Sequence, residues 1–335
     1  MNRFVVLKLI VVLAFAVSSV FAQREGQTRA ITMSSFASKR PAEAGGKPQG
    51  SAAAAAARKN GTYKSVGAVK GSAAGSVKLV LGAKSVARPK AAPMETRTAD
   101  IGVTMWKLRP PIPTDTGRPI PVRVGDGTQM WTAERVSTKT QFRSGDRVRF
   151  AVESSEDGYL YIFNSEMLAN GRTGEPCMIF PNAVTDDNSV RAGSPVEVPD
   201  QSERLPYFLI NPERPEYRGE SMTIVISDTK LNDLKLTKDA SCGSRLAAGQ
   251  MSRFAAGDVE IFERDDRVDA IYSDAEAAAV CGVKTRELVR EQPNEKPCSE
   301  RRQMSSEDPL PQSIYRVTSP KDRPVVATVR LDVPN

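Results

Sequence analysis

The chemistry open to this 335-residue chain is bounded first by four cysteines, 40 acidic and 47 basic side chains, and no histidine. Serine and cysteine nucleophiles are most often activated by His, which also supplies most zinc ligands and most general bases near neutrality. None of those mechanisms has its usual form here, so carboxylate pairs and lysine bases are what remain. Cys177, Cys242, Cys281 and Cys298 follow one another at spacings of 65, 39 and 17 residues, with no CxxC pair among them. That spacing, without histidine, argues against a metal centre. An even count in an oxidising compartment favours disulfides, with three connectivities open. Cys281 with Cys298 closes the shortest loop and is the bridge expected first.

Other candidates are weaker. Asp186, Asp187 and Asn188, with Asp157 or Glu166, offer oxygen ligands of the kind calcium takes, but no EF-hand spacing accompanies them. Asp and Asn are also ordinary turn formers. Paired carboxylates for glycoside hydrolysis are conceivable on any acidic surface, and nothing singles out one pair. The sequence therefore names no catalytic residue, no metal ligand and no cofactor. Tyr159, Tyr161 and Phe163 are expected in the core and its rim, with an aromatic ligand platform as the alternative.

These residues have to be positioned by elements outside the cytoplasm, because residues 1–22 read as a cleavable signal peptide. Asn2 and Arg3 begin the chain, Phe4 to Val17 is apolar apart from Lys8, and Val20-Phe21-Ala22 presents a peptidase site with the cut after Ala22. The competing reading is an uncleaved anchor, but Lys8 and Ser18-Ser19 shorten the strictly apolar part to a length closer to a signal core. No second apolar stretch of spanning length follows. The expectation is a periplasmic or extracellular protein with no stable membrane span after cleavage.

Residues 23–99 hold 14 Lys or Arg against 3 Glu, a balance of +11. The signal adds Arg3 and Lys8, so residues 100–335 carry −6 of the whole-chain +7. With the run Ala52 to Ala57 and only Phe36 and Tyr63 as aromatics, this stretch lacks the apolar surface to offset its ordering entropy. It is expected to be a disordered linker, within which Gly71 to Ala87 has a short apolar run of undecided form. Its charge is spread singly, which suits a solvated spacer; adhesion to anionic envelope polymers is the alternative. Nucleic acid is not an expected partner.

From Ile101 the texture changes to short β-branched and aromatic runs divided by Gly, Pro, Asn and Asp, the mark of a mainly β domain. Strands are predicted at 101–108, 129–136, 147–154, 159–164, 178–180, 196–198, 207–210, 222–227, 314–317 and 325–333. In Arg147 to Val152 the alternation puts Val148, Phe150 and Val152 on one face and Arg147, Arg149 and Ala151 on the other, a pattern that buries one face and wets the other. Bulk on both faces makes 159–164 a central strand. Glu156-Asp157-Gly158 reads as a hairpin turn. The prolines from Arg109 to Pro121 read as a stiff connection between strands, with a docking peptide as the alternative. Residues 229–292 read as a helical insertion, with Ala277, Val280, Cys281 and Leu288 at helical spacing and Asp274 as N-cap. The fold class expected is thus an antiparallel β-sandwich over 100–335.

Ser144 to Glu166 (SGDRVRFAVESSEDGYLYIFNSE), followed by MIFPN at 178–182, DNSVRAGSPVEVPD at 187–200 and MTIVISD at 222–228, resembles the bacterial family called domain of unknown function 4384. The resemblance spans about Met130 to Asp228. It implies a compact β domain, often in exported proteins or beside kinase or caspase-like modules, and no catalytic residues. No kinase or peptidase motif occurs in this chain.

These readings converge on an exported, non-enzymatic binding or structural β domain, with an envelope polymer or another exported protein as partner. Two alternatives stay open: an enzyme using carboxylates or Lys in a cleft between sandwich and helical insertion, and polymer binding by the basic tail.

Overall fold

Period-2 runs of β-branched and aromatic residues can be satisfied only by strands that find partners for their backbone groups. The computed structural model describes residues 36–40, 63–69, 94–115, 119–124, 127–182, 185, 187–199, 205–211, 214–239, 242–264, 304 and 310–334. Its strands are, in chain order, β1 (Tyr63–Val69), β2 (Thr96–Arg109), β3 (Ile120–Val124), β4 (Gly127–Val136), β5 (Arg147–Ser154), β6 (Gly158–Leu168), β7 (Cys177–Phe180) and β8 (Ser189–Val190). They continue with β9 (Val196–Val198), β10 (Phe208–Leu209), β11 (Tyr217–Ser227), β12 (Leu236–Asp239), β13 (Gly243–Leu246), β14 (Asp258–Arg264), β15 (Ser313–Pro320) and β16 (Val325–Asp332).

The strands form two antiparallel sheets. The first runs β1-β14-β15-β2-β4-β3, with β5 pairing β2 on one edge and β9 and β10 on the other. The second runs β12-β13-β7-β6-β11-β16, with β8 also on β6. A shared core lies between them: Ile101, Val103 and Met105 of β2 and Val148, Phe150 and Val152 of β5 meet Leu160 and Ile162 of β6 and Ile224 and Ile226 of β11. Phe208 stacks on Phe150 with ring centroids 5.8 Å apart. At roughly 2 kcal/mol per fully buried aliphatic side chain, this layer is the main source of stability.

Each of the ten predicted strands coincides with an observed one, and β6 is central, paired with β7, β8 and β11. Four expectations change. Glu156-Asp157-Gly158 is not a hairpin, because β5 and β6 lie in different sheets; the turn carries the chain across the core. The second face of β5 is not wet: Arg149, Ala151 and Glu153 are all buried.

The third change concerns residues 229–292. From Lys230 to Arg264 the chain forms β12, β13, a 3-10 turn at Gln250–Phe254 and β14, not a helix. The physical reason is that sheet two needs a cover. Tyr161, Phe163, Val225 and Val326 point outward from it, and Leu246 and Phe254 close over them. Phe254 stacks on Phe163 at 5.4 Å. The stretch 274–290, with Cys281, and also Cys298, lie outside the described residues, as does the signal segment 1–22.

The fourth concerns the linker. Within 23–99, Phe36 to Arg40 is packed against sheet one, β1 pairs with β14, and β2 starts at Thr96. The 71–87 unit lies outside the described residues. The proline-rich stretch joins β2 to β3, and the carboxylate of Asp115 within it accepts hydrogen bonds from Arg109 Nη2 (2.6 Å), Thr132 Oγ1 (2.6 Å) and the Ile112 amide (2.8 Å). Those donors, the Arg109 guanidinium first, hold its carboxyl well below the usual range.

Candidate functional site

In an antiparallel sheet the side chains of directly opposed residues share a face. On β6 the inward row is Leu160, Ile162, Asn164 and Glu166; on β11 it is Ile226, Ile224, Met222 and Glu220, with Ile224 opposite Ile162, Met222 opposite Asn164 and Glu220 opposite Glu166. The apolar row therefore ends in two facing, half-buried carboxylates. Glu220 accepts from Tyr217 Oη at 2.7 Å and from Asn164 Nδ2 at 2.9 Å. Arg214 reaches Glu166 at 3.4 Å.

The electrostatics follow from burial and like charge. Burial pushes the Glu220 carboxyl up, with the charge of Glu166 adding to the effect and the bonds from Tyr217 and Asn164 opposing it. Burial, with Glu220 alongside, holds the Tyr217 hydroxyl above the usual phenol range. A carboxyl raised by burial and facing a second carboxyl is an arrangement that can hold or pass a proton.

A disulfide lies beside this pair, with Cys177 opposite Asn164 of β6. Cys177 on β7 bonds to Cys242, with Cα atoms 6.0 Å apart. Arg245, opposite Cys177 in the ladder, pairs with Asp239 at 2.8 Å and with Glu175 at 3.3 Å. Asp239, first, and then the neighbouring carboxylates, raise its guanidinium further.

Elsewhere the charged groups are occupied in the scaffold. Among the described residues, four carboxylates are buried, and each faces a cation: Glu153 faces Arg40, Glu197 faces Arg149, Asp100 faces Arg316 at 3.0 Å, and Glu263 faces Lys139 at 3.3 Å. Arg149 also leaves Nε and Nη1 without an acceptor. On the outside of sheet one, Arg147 lies over the Trp131 ring at 4.5 Å and near Tyr207 at 5.3 Å, a cation–aromatic corner.

The sequence candidates disperse. Asp157 accepts from the Ala192 amide at 2.8 Å, Asp187 from the Ser189 amide at 2.9 Å, and buried Asn188 donates to the Leu160 carbonyl at 3.0 Å. Asp186 is outside the described residues, and no group of three or more metal-ligating side chains occurs among those described. Of the residues named for calcium, only Glu166 belongs to the facing pair. Tyr161 and Phe163 are buried, and the Tyr161 hydroxyl accepts from the Leu231 amide at 2.7 Å, so they pack the structure. Glu220, Tyr217 and Asn164 were missed by sequence reasoning. The available signal was a Glu at the inward position of YRGESMTIVIS, in phase with Met222, Ile224 and Ile226.

These features define a mainly β domain of two antiparallel sheets, with two facing carboxylates at the end of the inward rows of β6 and β11. A family model described as Domain of unknown function (DUF4384) matches residues 141–216. That stretch contains β5 to β10, and with them Glu166, Cys177 and Glu197. No curated protein and no solved structure matches the chain.

Proposed function

We propose that this chain is an exported, non-enzymatic binding module that acts in the cell envelope or outside the cell. The observation that supports it is the pairing of all four buried carboxylates among the described residues with cations, which commits them to holding strands together. Export is supported by the signal pattern of residues 1–22 and agrees with the Cys177–Cys242 disulfide, a bond that persists in oxidising compartments. The test is an assay of the chain from Gln23 onward on glycan and peptide substrates. Enzyme-like turnover that one carboxylate substitution abolishes would overturn the reading, and mass spectrometry of the exported form should find Gln23 at its N-terminus.

A second reading has its own observation. Glu166 and Glu220 face one another with the Glu220 carboxyl raised, which is the arrangement a carboxylate enzyme would need. In that case Glu220→Gln would abolish turnover and the rate would depend on pH through the pair. Polymer binding by the basic segment is the third. Two of its cations, Lys39 and Arg40, are engaged with Ser155 and Glu153 rather than free for a polymer. Deleting residues 23–99 should remove salt-sensitive binding if the segment's charge is responsible, and deleting residues 41–62, with Lys47, Arg58 and Lys59, should weaken it.

A further inference from the structure

One row runs straight across the outer face of sheet one. Phe262 of β14 is opposite Ile314 of β15, Ile314 is opposite Gly102 of β2, and Gly102 is opposite Glu153 of β5. At about 4.8 Å per strand, the row is roughly 14 Å long, apolar at one end and acidic at the other. The chain segment Phe36-Ala37-Ser38-Lys39-Arg40 lies over its two ends, and Leu310 and Pro311 form the wall between them, with Pro311 against Gly102.

The fit is specific at both ends. Phe36 and Ala37 are buried with Phe262, Leu310 and Ile314. A Cβ at position 102 would collide with Pro311 Cγ and lie 2.8 Å from the tip of the Phe36 ring, so only glycine leaves room for both. At the other end the Arg40 guanidinium makes a two-pronged bond to Glu153, with Nε donating to Oε1 at 2.6 Å and Nη2 to Oε2, and both residues are buried. Gly193, at φ +75°, passes so close that a Cβ there would stand 3.2 Å from Arg40 Cγ. Lys39 Nζ donates to Ser155 Oγ at 3.1 Å. Between the ends the segment turns on itself, with the Lys39 amide donating to the Phe36 carbonyl at 3.2 Å and the Arg40 amide to that of Ala37 at 3.1 Å.

We propose that this row is a peptide-binding groove selective for an aromatic residue followed four positions later by arginine, and that residues 36–40 occupy it in cis. A partner peptide of the same pattern, from another exported protein, binds by displacing them. An aromatic ring in an apolar pocket and a desolvated Arg–carboxylate fork are the contacts that dominate recognition energetics. The groove is separate from the Glu166–Glu220 pair, which lies in the other sheet, so the proposal stands whether or not that pair reacts.

The test uses the full chain from Gln23 with a site-specific protease sequence inserted between Gly46 and Lys47. After cleavage the N-terminal fragment should remain bound, and a labelled peptide of residues 33–42 should replace it while the circular dichroism stays that of the folded chain. Peptides with Arg40→Glu or Phe36→Ala should bind the same cleaved chain roughly 30-fold more weakly or worse, and the Arg40→Glu peptide should regain affinity for the Glu153→Arg chain. A fragment that never exchanges, a fragment released with no peptide bound, loss of folded signal on exchange, or equal binding of the altered peptides would each overturn it.

Discussion

Glu220 illustrates how a single position can carry a pH dependence. Its carboxyl is raised by burial in the folded chain, so the folded state holds a proton over a range where the unfolded state has lost it. The contribution to stability is therefore greatest below the ordinary Glu range and falls as pH rises from that range to the raised value. Glu220→Gln should remove this decline and stabilise the chain at neutral pH, as read by urea unfolding at about pH 4 and about pH 8. A mutant that shows the wild-type slope would exclude Glu220 as its source. Arg149 makes the opposite case. Buried and bonded to Glu197, it should destabilise the fold by roughly 3–5 kcal/mol when changed to Ala, because Glu197 is left as an uncompensated charge. Replacing both by Met and Leu should recover most of that loss in the same denaturation experiment.

At the scale of elements, the β12–β13 hairpin and the 3-10 turn at 250–254 act as a lid on the outer face of β6 and β11. Phe254→Ala would remove the ring stacked on Phe163 and should cost about 3–5 kcal/mol in thermal or chemical unfolding. The hairpin is also tethered covalently. Reducing Cys177–Cys242, which closes a loop with sequence separation 65, should lower stability by about 4 kcal/mol in the loop-entropy picture, seen as a drop in Tm with reductant. Strand positions were legible because alternation in runs such as RVRFAVES sets which face each residue takes, with Val148, Phe150 and Val152 in the core between the sheets. What each second face meets was not. Arg149 and Glu153 look like solvent positions until Glu197 and Arg40, 48 and 113 residues away, arrive to pair with them. The Glu-Asp-Gly turn similarly has hairpin chemistry, and only the register shows that its two strands belong to different sheets. The site was hidden for the same reason: Glu166 is unremarkable until the β6–β11 ladder sets Glu220 opposite it.

At the scale of the whole molecule, the segment matching the family is smaller than the unit that folds. Residues 141–216 supply β5 to β10, but the inward rows of β2, β11 and β16 that close the core lie outside it. Expressed alone, that segment should give the poorly dispersed amide spectrum of an unfolded chain, whereas a well-dispersed spectrum would show that β5 to β10 suffice. The position of β15 has a temporal counterpart. It sits between β14 and β2, while β16 caps β11 in the other sheet. Neither sheet can therefore be completed until residues 313–332 are available, so both wait on β15 and β16.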